Sequence, residues 1–294
     1  MIELYQSANK LILVKPKTFG FDEKSAETNF FQNHNSSKNL LSLATKEHLA
    51  LKKVLIENNI DFQVLESPKN CPDGIFPNNW IITYADKTYD LFSMLNPNRR
   101  MERSKENIDI LQKIYSLKYD YSKYESQNKF LEGTGSLVLD RVNKIAYMAV
   151  SKRSSIDLAD QWALNRGYKL VYFNTDLNNL PVYHTNVLMF IGTDIAAIGS
   201  NLIREKNIEN VLKKNHQVIS LSENEILNFC GNCLEIRDKD NKKILLMSSR
   251  AYINFTEINI NLLKDKYPKI VTVNIDNIEN IGGGSLRCML LELF

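Results

Sequence analysis

The chain has 294 residues, 44% of them hydrophobic and 24% charged, with a formal charge of +3. That composition supports a sizeable buried core, and the interspersed signs leave no concentrated basic face of the kind a nucleic acid requires. No apolar run approaches the ~20 residues that span a bilayer, and the run Leu11 to Val14 is too short for a secretory leader, so a cytoplasmic protein without a membrane or nucleic-acid partner is expected.

In chain order, residues 10–15 read as a strand, 46–57 as a helix and 61–65 as a second strand. A hairpin follows, 79–85 and 89–95 around the turn pair Asp86-Lys87, then a helix over 102–113 and a strand over 119–124. The same order returns at 136–140 and 144–150, a helix over 155–165 with Ser155 as N-cap and Gly167 as stop, and a strand over 168–173. A third copy comprises 186–191, 195–199, a helix from about 205 to 214 and a strand over 216–221. A fourth comprises 233–237, 243–247, a helix from 253 to about 264 and a strand over 269–273. The last strand, 285–294, has no successor.

These modules begin near residues 80, 136, 186 and 232, a period close to 50 residues, which is in the range where repeats set the architecture. Pairing the last strand with the N-terminal segment completes a fifth module and closes a ring, which also removes open sheet edges. The expectation is one α/β domain over residues 1–294, a propeller-like ring with strands at the centre and helices outside. An ordinary mixed α/β sandwich is the alternative.

Four cysteines in a chain this long do not make a disulfide framework. Cys230 and Cys233 form a C-x-x-C, yet a zinc knuckle needs a second ligand pair. Cys71, Cys288, His34, His48, His184 and His216 are scattered, so no metal is expected. The pair is followed by a strand rather than a helix, unlike a thioredoxin site. It reads as structural thiols beside a turn, with redox activity and weak metal binding as alternatives.

The least ordinary stretches, 71–80, 130–135, 181–186, 229–232 and 281–289, all precede first strands of the modules. On a closed ring they converge at one end of the axis, where loops on a rigid scaffold carry chemistry. Cys288 follows the run Gly282-Gly283-Gly284, His184 follows Pro181, and Asp73 and Glu132 each adjoin a glycine. Taken singly, Cys288 reads equally as a buried small hydrophobe, and His184 as a structural histidine. Together, a thiol nucleophile, an imidazole acid and base, and paired carboxylates suit a planar cationic or ureido substrate.

The segments KPKTFGFDEKSAETNFFQ, PDGIFPNNW, LEGTGSLVLDR, YHTNVLMFIG, GNCLEI with LLMSSRAY, and GGGSLRCMLLELF resemble the amidinotransferase/arginine-deiminase-related superfamily. The nearest branch is that of bacterial citrulline-utilisation and dimethylarginine dimethylaminohydrolase-like hydrolases. The resemblance implies a five-bladed α/β propeller of pentein type with pseudo-fivefold symmetry, working without metal or organic cofactor. It places the nucleophile on Cys288, the catalytic histidine on His184, the substrate-holding carboxylate on Glu132 and an earlier acidic contact on Asp73.

Arginine deiminases carry Asp two residues after the histidine, where this chain has Asn186. Losing one negative charge, and gaining a donor beside an acceptor, favours a neutral ureido group. The expected reaction is therefore C–N hydrolysis of a ureido or guanidino amino acid, citrulline first, through an S-carbamoyl or S-amidino intermediate. A dimethylarginine or arginine deiminase-type hydrolase, an amidinotransferase and a non-catalytic binding protein are the alternatives. Asn79, beside Asn78, is a candidate substrate contact or a backbone cap. Arg99, with Arg100 and Arg103, and Arg287 are candidate clamps for a substrate carboxylate, although strand alternation counts against Arg287 sharing a pocket with Cys288.

Overall fold

Lys10–Lys15 (β1) carries four consecutive buried residues, Leu11 to Val14. A strand apolar on both faces belongs inside its sheet, and β1 is the middle of three. It pairs in parallel with Asp61–Glu66 (β2) and antiparallel with Leu291–Leu293 (β15), Lys10 lying opposite Leu293. The helix Leu40–Glu57 connects β1 to β2 and turns Ala44, His48, Leu51 and Leu55 inward. The computed structural model describes residues 5–33 and 39–294; His34 and the first four residues lie outside them.

Four further sheets repeat this plan. They are Ile81–Thr83 (β3), Thr88–Leu91 (β4) and Ser116–Asp120 (β5); Val138–Asp140 (β6), Ile145–Ala149 (β7) and Lys169–Phe173 (β8); Met189–Ile191 (β9), Ile195–Ile198 (β10) and Gln217–Ser220 (β11); Leu234–Arg237 (β12), Lys243–Ser248 (β13) and Ile270–Val273 (β14). In each, the middle strand is antiparallel to the first and parallel to the third, which it reaches through a helix. Mixed α/β architecture and the expected pairing of the two chain ends are therefore present, as five sheets of three strands in a five-fold arrangement. No ladder joins one sheet to the next among the described residues.

The sheets meet through side chains. Ile12 and Leu65 of the first pack with Ile81 and Tyr89 of the second. Ile82 and Phe92 pack with Leu137, Leu139 and Trp162 of the third. Tyr147 and Phe173 share a core with Ile195 and Ile198 of the fourth and with Leu245 and Met247 of the fifth. Leu246 and Val271 then return to Leu11, Leu13 and Leu51.

Several boundaries differ from the sequence reading. The segments expected to open inner strands at 79, 136, 186 and 285 instead make tight helical turns, Pro77–Asn79, Gly133–Ser136, Thr185–Leu188 and Leu286–Met289. Apolar content there reflects burial, which periodicity cannot assign to a turn or a strand. The strand expected over 119–124 lies at Ser116–Asp120, and Ser122–Gln127 is a 3-10 helix that begins where Asp120 Oδ1 accepts the Ser122 N–H. The single helix expected from 253 is two, Ser249–Asn254 and Glu257–Lys266, the second restarted by the Thr256 hydroxyl accepting the Asn259 N–H. Ser155 occupies the N-cap position of Ile156–Arg166 without a side-chain cap bond, while Gly167 closes that helix at φ 67°.

Candidate active site

Cys288 sits in the turn Leu286–Met289, three residues before β15, and is 3% exposed. Two amides stand against its sulfur: Asn232 Nδ2 at 3.4 Å and Asn186 Nδ2 at 3.5 Å. Burial pushes the thiol pKa up from its ordinary value, and the Asn232 bond and the Arg287 charge pull part of the way back. The glycine run preceding it is required by backbone and packing together. Gly283 adopts φ +62°, and a methyl on Gly282 would lie 2.8 Å from the Phe76 ring. The Gly283 carbonyl accepts from Tyr183 Oη at 2.6 Å and Asn29 Nδ2 at 3.1 Å. The glycine run therefore packs closely against the protein's own residues Phe76, Tyr183 and Asn29.

His184 lies in extended backbone immediately before the turn Thr185–Leu188. Its Nε2 is 2.7 Å from Glu132 Oε2, which leaves Nδ1 as the free ring nitrogen. Burial lowers the imidazole pKa to about 4 despite that carboxylate, so the ring is neutral near neutrality. Burial also pushes Glu132 upward, but Arg153, the His184 bond and Arg99 outweigh it and hold the carboxyl well below the usual range. The other Glu132 oxygen accepts the Leu95 N–H at 2.9 Å. Gly135 makes room for the histidine, since a methyl there would sit 2.8 Å from both Nδ1 and Cε1.

Asp73 is buried, with no cation within ion-pair distance among the described residues. Its Oδ2 accepts from Ser25 Oγ at 2.7 Å and its Oδ1 from Gln32 Nε2 at 3.5 Å. Burial and then Asp22 raise its pKa, with Arg99 opposing. Asp73, Asn79, Arg99, Arg153, Tyr183, His184 and Cys288 line one cleft with Phe76, Asn29, Gly282 and Gly284.

Five of the expected residues, Cys288, His184, Asp73, Asn79 and Arg99, are brought together there, and Asn186 stands behind the sulfur. Glu132 is adjacent but does not line the cleft; its oxygens are occupied by His184, Leu95 and, at 3.5 Å, Arg153. Arg99 has its Nε and Nη2 engaged by Glu102 at 2.8 and 3.2 Å and by Asn79 Oδ1 at 3.0 Å. Arg100 and Arg103 turn to the carbonyls of Met94 and Phe92 and are not in the site. Arg287 is likewise outside the cleft. It bonds the Leu290 carbonyl and Glu292 Oε2 (2.7 Å) and faces a central cavity with Gln6 and Arg141. Cys230 and Cys233 are buried, bonded to the carbonyls of Ala251 and Cys230, with thiols pushed far up by burial.

Sequence reasoning passed over Asn232, Arg153 and Tyr183. Asn232 lies two residues before β12, the position Asn79 holds before β3, so the module alignment contains its signal. Arg153 carries no sequence signal. It is 1% exposed, donates to the Ser25 carbonyl at 3.0 Å and Thr28 Oγ1 at 2.7 Å, and stacks 5.1 Å from the Tyr183 ring.

A profile of the family described as "N,N dimethylarginine dimethylhydrolase, eukaryotic" matches residues 15–294. The chain belongs to this family. Its membership makes it a C–N hydrolase of the amidinotransferase-related pentein superfamily. Among solved structures, a mutant of the N-terminal domain of ArgZ bound to substrate, an arginine dihydrolase from the ornithine-ammonia cycle in cyanobacteria, superposes with TM-score 0.77 at 14% identity. The match covers 99% of this chain and 98% of that one. An AgrE mutant in complex with L-arginine gives TM-score 0.78 at 16% identity, over 97% of this chain and 40% of that one. A dimethylarginine dimethylaminohydrolase adduct with S-methyl-L-thiocitrulline gives 0.67 at 14% identity, over 97% and 100%. At these identities the likeness establishes the fold, and the chain spans only 40% of the longer ArgZ and AgrE chains. No curated protein sequence matches it.

Proposed function

We propose that the family member described here hydrolyses the guanidino group of an arginine-like amino acid, with Cys288 as nucleophile and His184 as acid and base. The observation that carries the reading is Asp73, a buried carboxylate facing the Cys288 cleft with no cation within ion-pair distance among the described residues, Arg99 acting on it only from farther off. A guanidinium supplies the missing charge and, by fork-to-carboxylate bonding, holds its carbon for attack. The five sheets then act as five blades of one propeller with pseudo-fivefold symmetry over residues 1–294, the cleft lying where their inner strands begin.

The chemistry balances with water alone. The cationic substrate favours the thiolate, and the displaced thiol proton passes to the neutral His184. The sulfur bonds to the guanidino carbon, and the leaving amine departs with the proton from His184 Nδ1, leaving an S-amidino (thiouronium) adduct. His184 then takes a proton from water, the hydroxide adds to the adduct carbon, and the C–S bond breaks to release a ureido product. Glu132 serves this cycle by fixing the imidazole orientation and stabilising its charged form, a positioning role in place of the direct substrate hold implied by the resemblance.

Citrulline remains a second reading, on a different observation from the one that suggested it. Asn186 is spent on the Cys288 sulfur, which weakens its use as a ureido contact. Asn79, however, is turned by Arg99 so that its Nδ2 is a buried donor without a partner, suited to a ureido oxygen. Incubation with L-arginine, N,N-dimethylarginine and citrulline separates these readings, with ammonia, dimethylamine, citrulline and ornithine quantified and the protein mass recorded. Turnover of citrulline alone would discard the guanidino reading. Amidino transfer to an added amine in preference to water would make the chain a transferase, and a trapped adduct elsewhere than Cys288 would remove the nucleophile assignment.

A further inference from the structure

A cavity of about 250 Å³ lies apart from the Cys288 cleft, in a recess fed by the opposite ends of the same inner strands. Its walls come from the β3–β4 turn (Tyr84, Asp86), the β6–β7 turn (Arg141, Lys144), the end of β12 (Arg237) and the residues at the close of β15 (Leu293, Phe294). Five side-chain cations line it, Lys118, Arg141, Lys144, Arg166 and Arg237, against one lining side-chain carboxylate, Asp86.

The carboxylates nearby do not cancel that excess. Asp86 is shared by Lys118 at 3.1 Å and Arg166 at 3.6 Å, and Arg166 is also held by Asp90. Arg141 has only Glu292, at 3.7 Å, and Glu292 is the closer partner of Arg287. Arg237 bonds the Ser7 carbonyl and Asn241 Oδ1, neither of them charged. Lys144 has no carboxylate within ion-pair distance among the described residues. Four of these cations are held in place by ring faces. Arg166 lies 3.6 Å from the Tyr84 ring, Arg237 3.7 Å from Tyr5, Arg141 3.9 Å from Phe294 and Lys144 4.6 Å from Tyr168. Stacking orients the guanidinium planes without consuming their N–H donors. Those of Arg166 are taken by Asp90, Thr88 and Asp86, so Arg141, Arg237 and Lys144 are the cations left to a ligand.

We propose that this recess is a binding site for a small phosphorylated metabolite carrying at least two negative charges. Several fixed cations around a half-enclosed space suit a phosphoryl group, whose oxygens accept from guanidinium forks and an ammonium together. The volume admits a compact ligand and excludes a polymer. The site stands apart from the guanidino cleft, so it does not depend on the catalytic reading.

The test is calorimetric titration of the intact protein with pyrophosphate, with citrate as a carboxylate of comparable charge. Saturable one-site binding of pyrophosphate, preserved in Cys288→Ser, is expected. Lys144→Met and Arg237→Met should each weaken it by about tenfold, the loss of one charge-assisted contact, while leaving guanidino hydrolysis without ligand unchanged. No saturable binding, or binding indifferent to both substitutions, would overturn the site. Equal affinity for citrate would overturn the phosphoryl assignment.

Discussion

Cys288 waits in the cleft as a protonated thiol, because burial outweighs the help of Asn232 and Arg287. Inactivation of the free enzyme by iodoacetamide should therefore keep accelerating with pH beyond 9.0, the thiol's ordinary value. A plateau in the neutral range would contradict this. Asn232→Ala removes a donor to the sulfur and should slow alkylation at fixed pH by about tenfold, one unit of pKa. Glu132→Gln keeps a bond to His184 but loses the charge that stabilises the imidazolium; kcat should fall roughly 10²- to 10⁴-fold, with substrate KM little changed. A rise in KM alone would return Glu132 to the role of substrate holder. Taken singly, Cys288 and His184 were ambiguous in the sequence, and the resemblance singled them out with Asp73; the structure brings all three to one cleft. Arg153 was not legible in the sequence, since a buried arginine is defined by partners, Thr28 and Glu132, that lie 125 and 21 residues away.

The turns that lead into the inner strands hold much of the proposed site. Asn79, Gly135, Asn186, Asn232 and Cys288 stand two or three residues before β3, β6, β9, β12 and β15, so one module position supplies much of the site. Gly135 is the position where a side chain is excluded: its methyl would also fall 2.3 Å from Asn79 Nδ2. Gly135→Ala should cost most of the activity while the protein stays folded by circular dichroism; near-normal turnover would show that His184 can yield. The repeated strand order was readable from the apolar runs, but these turns were taken for strands because they are as buried as strands are. The outer helix Leu40–Glu57 carries a different consequence. His48 is buried on it, its Nε2 lacks a partner, and burial, then Lys52 and Lys15, lower its pKa to about 4. As pH falls, the unfolded chain takes up that proton first. The His48 contribution is complete above the ordinary 6.5 and is lost between 6.5 and about 4. The loss is on the order of 3 kcal/mol at most. Urea midpoints for His48→Leu should be flatter across that window than those of the parent, and an identical slope would place the acid sensitivity elsewhere.

On the scale of the molecule, each core lies between neighbouring sheets, so no sheet owns its hydrophobic interior. Urea unfolding should therefore be a single transition, with tryptophan fluorescence and far-ultraviolet circular dichroism coincident. Resolved steps would divide residues 1–294 into independent units. The five-fold plan was legible because its period is long and regular, whereas the basic recess opposite the cleft was not, its cations being gathered from four separate segments. The pairing of Lys10 with Leu293 bears also on how the protein is made. As the chain leaves the ribosome, β1 and β2 can pair early, but the other edge of β1 must wait until β15 is synthesised. During that interval an apolar strand edge is open to other nascent chains. Cys288 arrives with the same segment, so the proposed site is completed only when that exposed edge can be covered.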